Sequence, residues 1–460
     1  MRFDRRRFLY AVAGELLAGA WTAVGLEETL GRALAGMRIL RLRQRLVQAF
    51  PQRPGFHELV TFLGGDAALH GALRWGIRVT TGKITRVRQL RGVMEGRPAR
   101  LAGVDLPALA TEGALAAWLG VTVPRLQWLA DATGRNRRQA EGPLRNYRYR
   151  WIARRAAKRE AAPPPRLLEI PKATLKAMQR QILEQILQRV PAHAAAHGFV
   201  PGRSPVTNAA AHCGKAVVLR MDLQDFFASV AAARVFRLFR TLGYSATVSR
   251  LLMGLCTTMM PADVWERRPR RAADGGEDDG GDFLRRQRLI TRHLPQGAPT
   301  SPALANLAAM RLDRRLSRLA AAAGGREGGV HYTRYADDLT FSAGRRFGRS
   351  MQRLRVLIDV IAREEGFVVN QRKTRVMRAG VRQRVAGVVV NVRPNVERRA
   401  YERLKALLTN CVRHGAASQN RAGVKDFRAH VLGRVAQVAG VHAARGAKLR
   451  ALAARVRWED

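Results

Sequence analysis

The chain has few cysteines, few acidic residues and no long apolar run. Its three cysteines, Cys213, Cys256 and Cys411, are odd in number and widely spaced, without a CxxC pair. This spacing argues against a disulfide framework or a zinc site and favours a reducing, cytoplasmic setting. No segment reaches the roughly 20 uninterrupted apolar residues of a membrane span, so we expect no membrane partner.

The first residues imitate an export signal. Arginines at 5–7 precede an apolar stretch, as in a twin-arginine leader, but Glu15 interrupts that stretch. We therefore predict that these residues form an amphipathic helix preceded by basic residues, and not an export signal.

Acidic residues are scarce relative to basic ones. Asp and Glu total 35 against 82 Lys and Arg, which gives a formal net charge of +47 and a sequence pI near 11.8. A GC-rich genome that encodes arginine wherever a basic residue is tolerated would raise this count, but the positive electrostatic field would remain. Such a field attracts polyanions, so the composition predicts a nucleic-acid partner.

The pattern of the chain changes along its length. Residues 1–135 form a basic, helical N-terminal extension, and residues 136–165 hold a linker and an entry strand. Residues 166–394 mix short β-rich apolar runs, such as Val385–Val390, with longer helical patterns, and residues 395–460 are again helical. This order predicts an α+β fold.

Two short patterns leave alternatives open. Residues 116–131 indicate two short helices around a glycine turn, either a helix-turn-helix or a plain packed helical hairpin. Residues 147–151 alternate aromatic residues with arginines at strand period. Such a strand either stacks bases and meets phosphates, or is half-buried with an arginine-rich outer face.

Acidic residues interrupt strand-like patterns at two places. The apolar run Val217–Met221 ends in Asp222, and Asp337 and Asp338 lie between Tyr-Ala and Leu-Thr-Phe. A hairpin with Asp337 and Asp338 at its tip would place three carboxylates in one small volume, where repulsion demands cations. Oxygen ligands favour Mg²⁺, or Mn²⁺ as a substitute. Two such ions suit in-line phosphoryl transfer.

These segments resemble motifs A and C of reverse transcriptases, whose motif C has the form Y-x-D-D. Further blocks resemble, in order, the fingers motif, the motif B loop, motif D and the primer-grip region: His197–Ser204, Leu294–Pro302, Gly366–Asn370 with Lys373 and Thr374, and Val385–Asn391. The resemblance covers about residues 165–395. It implies a right-hand polymerase with fingers, an antiparallel palm sheet and a helical thumb at 395–460, after the helical extension at 1–135.

The resemblance assigns catalytic roles by position. Asp222, Asp337 and Asp338 are expected to hold two Mg²⁺ ions, with the Leu223 carbonyl as an extra ligand, and Lys373 is the expected general acid for the leaving pyrophosphate.

It also assigns substrate contacts. Phe227 is expected to exclude a 2′-hydroxyl and so to select deoxynucleotides, whereas its neighbour Phe226 is expected to pack in the core. The remaining residues expected to bind the incoming nucleotide or its triphosphate are Gln296, Gly297, Arg203 and Lys172.

Within reverse transcriptases the chain looks most like the bacterial retron type. Asn208 and His212 match an N-A-x-x-H motif of that group, and Val385-Ala386-Gly387 stands where it carries V-T-G, with alanine as a departure. The resemblance implies that these five residues recognise the cognate RNA. The alternative for Asn208 and His212 is a hydrogen-bonded pair on a helix surface.

The expected function is therefore RNA-directed DNA synthesis from dNTPs. A retron enzyme would use its own structured non-coding RNA as template and make a branched RNA–DNA, in anti-phage defence with an effector protein. The alternatives are a non-retron defence or group II intron-like reverse transcriptase, and a non-catalytic nucleic-acid-binding scaffold on a decayed polymerase fold. His193 and His197 have the spacing of a helical metal site, but flanking proline and glycine predict a turn there.

Overall fold

The computed structural model describes most of the chain. The described residues are 5–18, 20–33, 40–66, 101, 103–131, 134–153, 164–269, 280–323, 329–345 and 351–458. They form two compact units, residues 1–190 with 230–304 and residues 191–229 with 305–460. Residues 154–163, inside the predicted linker, lie outside the described residues. The domain boundaries drawn from the sequence stay predictions.

The first unit contains helices and a two-stranded antiparallel sheet. Its described elements are α1 (Arg5–Ala18), α2 (Ala23–Ala33), α3 (Leu40–Ala49), α4 (Phe56–Gly65), α5 (Glu112–Trp118), α6 (Val123–Ala130), a 3₁₀ turn (Asn136–Arg138), β1 (Tyr147–Ile152), β2 (Arg166–Pro171), α7 (Ala173–Ile182) with a π-helical continuation (Leu183–Leu187), α9 (Ala232–Thr241), α10 (Ala246–Cys256), α11 (Ala262–Glu266) and α12 (Gly280–Ile290).

Helices α1–α4 share one aliphatic core. Residues three to four positions apart, such as Val12 with Leu16 and Leu59 with Leu63, are fully buried within it. This is the spacing that places side chains on one helix face. Helices α5 and α6 follow as a packed helical hairpin, with Leu126 fully buried.

The aromatic side chains of β1 point into the first unit. Tyr147 is buried, and the indole Nε1 of Trp151 donates to the Val264 carbonyl at 2.9 Å. Arg148 and Arg150, on the other face, are exposed. Of the two alternatives for this strand, the structure shows the half-buried strand with an arginine-rich outer face.

The second unit contains a four-stranded sheet, a small hairpin and a C-terminal group of helices. Its described elements are α8 (Pro205–Ala210), β3 (Val217–Leu223), α14 (Met310–Ala323), β4 (His331–Tyr335), β5 (Asp338–Ala343), α15 (Met351–Glu364), β6 (Val369–Arg378), β7 (Arg384–Val385), β8 (Val388–Val389), α16 (Arg398–His414), α17 (Ala416–Gln419), α18 (Phe427–Val441) and α19 (Ala443–Ala453). Helix α13 (Ser301–Ala308) begins in the first unit and ends in the second.

The four-stranded sheet has the order β4-β5-β3-β6, with every neighbouring pair antiparallel. Its central strand β3 is buried at nearly every position, which explains its continuous apolar pattern. The predicted α+β class and the antiparallel sheet are thereby confirmed. The run Val385–Val390, predicted as one β-rich segment, is instead the hairpin β7–β8, because Ala386 and Gly387 take left-handed φ angles of 47° and 86°.

The C-terminal helices α16–α19 have a core of their own. Leu404, Leu408 and Cys411 on α16 meet Val431 and Val435 on α18, all of them buried. Among the described helices of the whole chain, none combines the length and apolar character that a membrane span requires.

Candidate active site

The three predicted acids lie together at one end of the four-stranded sheet. Asp222 is near the end of β3 and stands directly opposite Asp338, the first residue of β5. Asp337 occupies the tight turn between β4 and β5, and its carbonyl accepts a hydrogen bond from the Leu223 amide at 2.8 Å. The hairpin predicted from the sequence is present, with its two acids at the tip.

Two basic side chains neutralise two of these carboxylates. Lys373 Nζ on β6 donates to Asp222 Oδ2 at 2.7 Å, and Arg220 Nε on β3 donates to Asp338 Oδ2 at 2.6 Å. Burial nevertheless raises the pKa of Asp338 to about 7; Arg220 opposes this shift, while the charges of Asp337 and Asp222 add to it. The group is therefore poised between its charged and neutral forms near neutral pH.

The acidic residues fit an oxygen-liganded cation. Asp338 Oδ1 is buried and has no hydrogen-bond partner among the described residues. A cation near it would satisfy this atom and remove the repulsion that Asp222 and Asp337 impose. In the present side-chain conformations, the described residues contain no group of three or more His, Cys, Asp or Glu side chains that could hold one metal ion. Asp222 and Asp338 point to Lys373 and Arg220 instead.

Two of the five described non-glycine residues with a positive φ are neighbours of the acids in the chain. Ala336, between Tyr335 and Asp337, has a φ of 58°, and Asp225, shortly after Asp222, has a φ of 46°. Left-handed backbone costs a non-glycine residue about 1–3 kcal/mol, so the surrounding structure must stabilise it. Such strain is common at catalytic sites.

Phe227 lies close to the acids in sequence, in a group of aromatic rings. Its half-buried ring is 6.1 Å from that of Phe199 and 5.7 Å from that of Phe226, measured between centroids. Phe226 is only 4% exposed, which confirms its predicted core position. The sugar-selecting role of Phe227 stays a prediction.

Arg203 is engaged with its own loop. Its Nη1 donates to the carbonyls of Ala194 at 2.7 Å, His193 at 3.2 Å and Ala196. This arrangement stabilises the loop that precedes α8. The triphosphate contact expected of Arg203 therefore requires the side chain to leave these carbonyls, and it stays a prediction. The ring of His197 contacts the Thr207 hydroxyl at 3.0 Å.

Gln296 and Gly297 belong to the first unit, where β2 fixes their backbone. The Glu169 amide donates to the Gln296 carbonyl at 2.8 Å. Gly297 has a φ of 129°, and a Cβ there would lie 3.1 Å from the Glu169 carbonyl oxygen, so glycine is needed at this position. Glu169 also accepts from His293 Nε2 at 3.0 Å, in a pair whose side chains are both 1% exposed.

We expect the Glu169–His293 pair to make stability depend on pH. Burial lowers the pKa of His293, but the charge of Glu169 and its hydrogen bond outweigh burial, so the pKa is raised above its usual 6.5. The stabilisation is therefore fully present below about pH 6.5 and is lost as the pH rises through the folded-state pKa. His293→Gln should flatten this part of the pH dependence of the free energy of unfolding, measured by urea denaturation at pH 6 and 8.5. His414→Gln, at an exposed helix end, is the matched control; equal slopes in the two variants would contradict the assignment.

Lys172, also in the first unit, lies beside a cavity of about 760 Å³ lined by Arg145, Arg148 and Arg267 among others. Its Nζ donates to the carbonyls of Gly142 and Pro143. Burial and then the charges of Arg148 and Arg145 lower the pKa of Lys172. Two of these arginines are already paired with acids, Arg145 with Asp263 and Arg267 with Asp263 and Glu141. The triphosphate contact of Lys172 stays a prediction.

The structure contradicts one of the two alternatives for Asn208 and His212, the hydrogen-bonded pair on a helix surface. Both side chains are buried, at 1% and 0% exposure, so the helix-surface pair is wrong. His212 Nδ1 contacts the Ser342 hydroxyl at 2.6 Å and Nε2 contacts the Thr333 hydroxyl at 2.7 Å. Burial first, then nearby positive charge, lowers the pKa of His212 to about 3, so the ring is neutral. The ring would have to leave this buried position to contact RNA directly, and its RNA-recognition role stays a prediction.

The other retron-like segment packs against the same core. Val385 is fully buried in a cluster with Ala209 and Val218, which joins the hairpin β7–β8 to α8 and β3. Only the turn residues reach the surface: Ala386 is partly buried and Gly387 is exposed. Any direct RNA contact by the segment Val385–Gly387 is therefore expected at its turn, and the RNA-recognition role of the segment stays a prediction.

We expect His212→Leu to destabilise the fold without weakening RNA binding by folded protein. The substitution leaves the Ser342 and Thr333 hydroxyls without their buried partner, at a cost of about 2–3 kcal/mol. Urea denaturation and fluorescence anisotropy with labelled RNA measure the two effects. His331→Leu, at an exposed position of β4, is the control. A His212→Leu protein of normal stability but weaker RNA binding would contradict this account.

No local sequence pattern singled out two buried pairs of charged or titratable residues, Arg334 with Asp313 in the second unit and Glu169 with His293 in the first. Arg334, Asp313, Glu169 and His293 are charged or titratable groups with at most 1% exposure. The strand pattern His331–Tyr335 carried no signal for Arg334, because its neighbour Thr333 is buried as well.

Comparison with known proteins found one family model and several related sequences. The family model for reverse transcriptase (RNA-dependent DNA polymerase) matches residues 158–408. The chain is 41% identical to the retron Mx65 reverse transcriptase of Myxococcus xanthus over 347 residues, 75% of this chain and 73% of that protein. It is 39% identical to the retron Mx162 reverse transcriptase of the same organism, over 64% of this chain and 56% of that protein. It is 31% identical to the retron Ec86 reverse transcriptase of Escherichia coli, over 51% of this chain and 62% of that protein.

Proposed function

Since the chain belongs to the reverse transcriptase family, as an RNA-directed DNA polymerase of the bacterial retron type, we propose that Asp222, Asp337 and Asp338 are its catalytic carboxylates. The observation that carries the proposal is the register of β3 and β5, which sets Asp222 opposite Asp338 beside the turn that holds Asp337. The buried, unpartnered Asp338 Oδ1 and the raised pKa of that residue support a cation at this place.

The cation that suits these ligands is Mg²⁺, with Mn²⁺ as a substitute, because all the donors are oxygens. Asp222, Asp337 and Asp338 would hold it, with the Leu223 carbonyl as an extra ligand. Two such ions, when bound, activate the primer 3′-hydroxyl and stabilise charge on the leaving pyrophosphate.

Lys373 is the proposed proton donor. It lies on β6 next to Asp222, and its side chain is 43% exposed. Its Nζ passes a proton to an oxygen of the leaving pyrophosphate, and the neutral amine takes a proton back from solvent. The ion pair with Asp222 positions the ammonium at the carboxylate end of the sheet.

The ring of Phe227 is the proposed barrier to ribonucleotides, because an aromatic ring at this position would collide with a 2′-hydroxyl. Arg203 is proposed to bind the triphosphate after leaving its loop carbonyls. Gln296, Gly297 and Lys172 of the first unit are assigned nucleotide contacts on the resemblance alone.

The finer proposal concerns the product. The named relatives are retron reverse transcriptases, and the chain carries a net charge of +47, which suits a structured RNA partner. We propose that the protein uses its own non-coding RNA as template and starts DNA synthesis at a 2′-hydroxyl of that RNA. The product is then DNA joined to RNA at a branch point. A role in anti-phage defence with an effector protein is part of the same proposal.

Sequencing the nucleic acid that co-purifies with the expressed protein tests this finer proposal. We expect one structured RNA and a single-stranded DNA whose 5′ end is joined to a 2′ oxygen, released by debranching enzyme. DNA with a free 5′ end would contradict the retron product while leaving the polymerase assignment in place. The catalytic assignment has its own test, described in the Discussion.

A further inference from the structure

A fully buried arginine lies behind the turn that carries Asp337 and Asp338. Arg334, on β4, is 0% exposed and is the largest fully buried residue in the described part of the chain. Placing a guanidinium in the protein interior is costly unless a partner neutralises it and its donors are satisfied. An apolar residue would fill this strand position without that cost. The arginine is therefore expected to have a task that an apolar residue does not perform.

Asp313 on α14 neutralises the guanidinium. Arg334 Nε donates to Asp313 Oδ1 at 2.8 Å, and Nη2 donates to Asp313 Oδ2 at 2.6 Å. The Tyr332 hydroxyl donates to the same carboxylate at 2.8 Å. This two-point pairing fixes the plane of the guanidinium and leaves Nη1 directed away from Asp313.

The remaining nitrogen reaches the catalytic turn. Arg334 Nη1 donates to the Ala336 carbonyl at 3.0 Å and to Asn306 Oδ1 at 2.9 Å. Ala336 directly precedes Asp337 and has the left-handed φ of 58°. One bond of the buried cation therefore ends on the strained residue that sets the direction of the turn.

The loop at Gly198 makes a second close approach to the same residue. Asn306 Nδ2 donates to the Gly198 carbonyl at 2.8 Å. The Gly198 backbone lies so close to the turn that a Cβ there would be 2.5 Å from the Ala336 nitrogen. Ala336 is thus held at its carbonyl by Arg334 and approached at its nitrogen by Gly198, and Asn306 links these two residues.

We propose that Arg334 is a positioning residue for catalysis: its Nη1 stabilises the left-handed turn at Ala336 and thereby orients the carboxylates of Asp337 and Asp338. Arg334 touches neither substrate nor cation. Asp313 supplies the opposite charge that makes a buried guanidinium tolerable, and Asn306 links it to the Gly198 loop. The inference rests on the proposed catalytic role of Asp337 and Asp338.

The conservative variant Arg334→Lys tests the proposal. Lysine keeps a positive charge opposite Asp313, but one ammonium cannot reproduce the two-point pairing and the bond to Ala336 together. We expect kcat for dNTP addition to fall about 30- to 100-fold, the effect of a displacement of about 1 Å at a reacting centre, with the KM for dNTP changed less than about twofold. We also expect weaker Mn²⁺ binding to the resting protein, by about tenfold in electron paramagnetic resonance titrations.

Arg315→Lys is the matched control. Arg315 is on the same helix as Asp313 and pairs with Glu364 and Glu365, away from the turn. Circular dichroism and thermal unfolding of both variants report the folded fraction. If Arg334→Lys has the kcat and Mn²⁺ affinity of Arg315→Lys, the proposal is overturned. It is also overturned if the loss of kcat matches the loss of folded protein while Mn²⁺ affinity per folded molecule is normal.

Two further variants test the turn directly. Glycine adopts the left-handed conformation without strain, so with Ala336→Gly the turn no longer depends on the bond from Arg334. In the Arg334→Lys background, kcat should therefore recover at least threefold over Arg334→Lys alone. Failure of this recovery in a folded double variant counts against the proposal. Gly198→Ala leaves the Arg334 ion pair intact but displaces the Ala336 backbone, so it should lower kcat with an unchanged KM, even if Arg334→Lys does not fold. A wild-type kcat in Gly198→Ala would overturn the role of the turn.

The outcomes separate this inference from the proposed function. Full activity in an Asp337→Asn protein would remove the function on which the inference rests. An inactive Asp337→Asn protein beside a fully active Arg334→Lys protein would remove the inference alone.

Discussion

Replacing Asp337 with asparagine is expected to lower the rate of primer extension about a thousand-fold, because the change removes a charge that holds the cations through the transition state. The protein should stay folded. Asparagine is nearly isosteric, and the main-chain bond from the Leu223 amide to the residue 337 carbonyl does not depend on the side chain. Single-turnover addition of one dNTP to a primed RNA template measures the effect.

Asp225→Asn is the control for this prediction. Asp225 is an exposed acid close to Asp222 in the chain, and its φ of 46° suits asparagine. We expect its rate within about twofold of wild type, since it is not among the three acids proposed to hold the cations. More than a tenth of the wild-type rate in Asp337→Asn would contradict the assignment of that carboxylate.

Phe227→Ala is expected to lower the preference for deoxynucleotides about a hundredfold. The preference is the ratio of kcat/KM for a dNTP to kcat/KM for the matching rNTP, and it reflects differential binding in the transition state. Loss of the ring removes the collision with the 2′-hydroxyl, so the rNTP rate should rise while the dNTP rate changes little. The ring is half-buried between Phe199 and Phe226, and its loss should leave the fold intact.

Phe227→Tyr retains the ring and serves as the control, with discrimination expected near that of wild type. If Phe227→Ala discriminates as strongly as Phe227→Tyr, the sugar is selected by another residue. If both substrates lose rate equally, the ring aids nucleotide binding in general and is not a selective barrier.

Local sequence pattern was sufficient to locate the three acids. The two patterns are an apolar strand that ends in Asp222 and a Tyr-Ala-Asp-Asp turn flanked by strand-forming residues. Each can be recognised from only a few neighbouring positions. Antiparallel pairing then brings Asp222 opposite Asp338. The α+β class follows from the same alternation of short apolar runs and longer helical patterns.

Spacing alone misled the interpretation of Asn208 and His212. Their separation by four residues predicts a shared helix face, but α8 ends at Ala210, so His212 lies beyond the helix. Its ring enters the interior to contact β4 and β5. Whether a four-residue spacing faces solvent or core depends on what packs there, which the local pattern does not contain.

The buried ion pairs could not be predicted from the sequence for a related reason. Arg334 and Asp313 are 21 positions apart, and Glu169 and His293 are 124 positions apart. In so basic a chain, a single arginine is expected to be solvated, and nothing local distinguishes the one that is buried. The strand His331–Tyr335 does not mark it either, since Thr333 and Arg334 are both buried and burial does not alternate along the strand.

The central claim is RNA-directed DNA synthesis at the Asp222, Asp337 and Asp338 centre. Its most direct test is extension of a primer on an RNA template by the purified protein with Mg²⁺ and dNTPs, beside the double variant Asp337→Ala/Asp338→Ala. The account predicts cDNA from the wild-type protein, dependent on Mg²⁺, and none from the double variant. Equal cDNA from both proteins would contradict it, because synthesis would then proceed without the two acids at the tip of the hairpin.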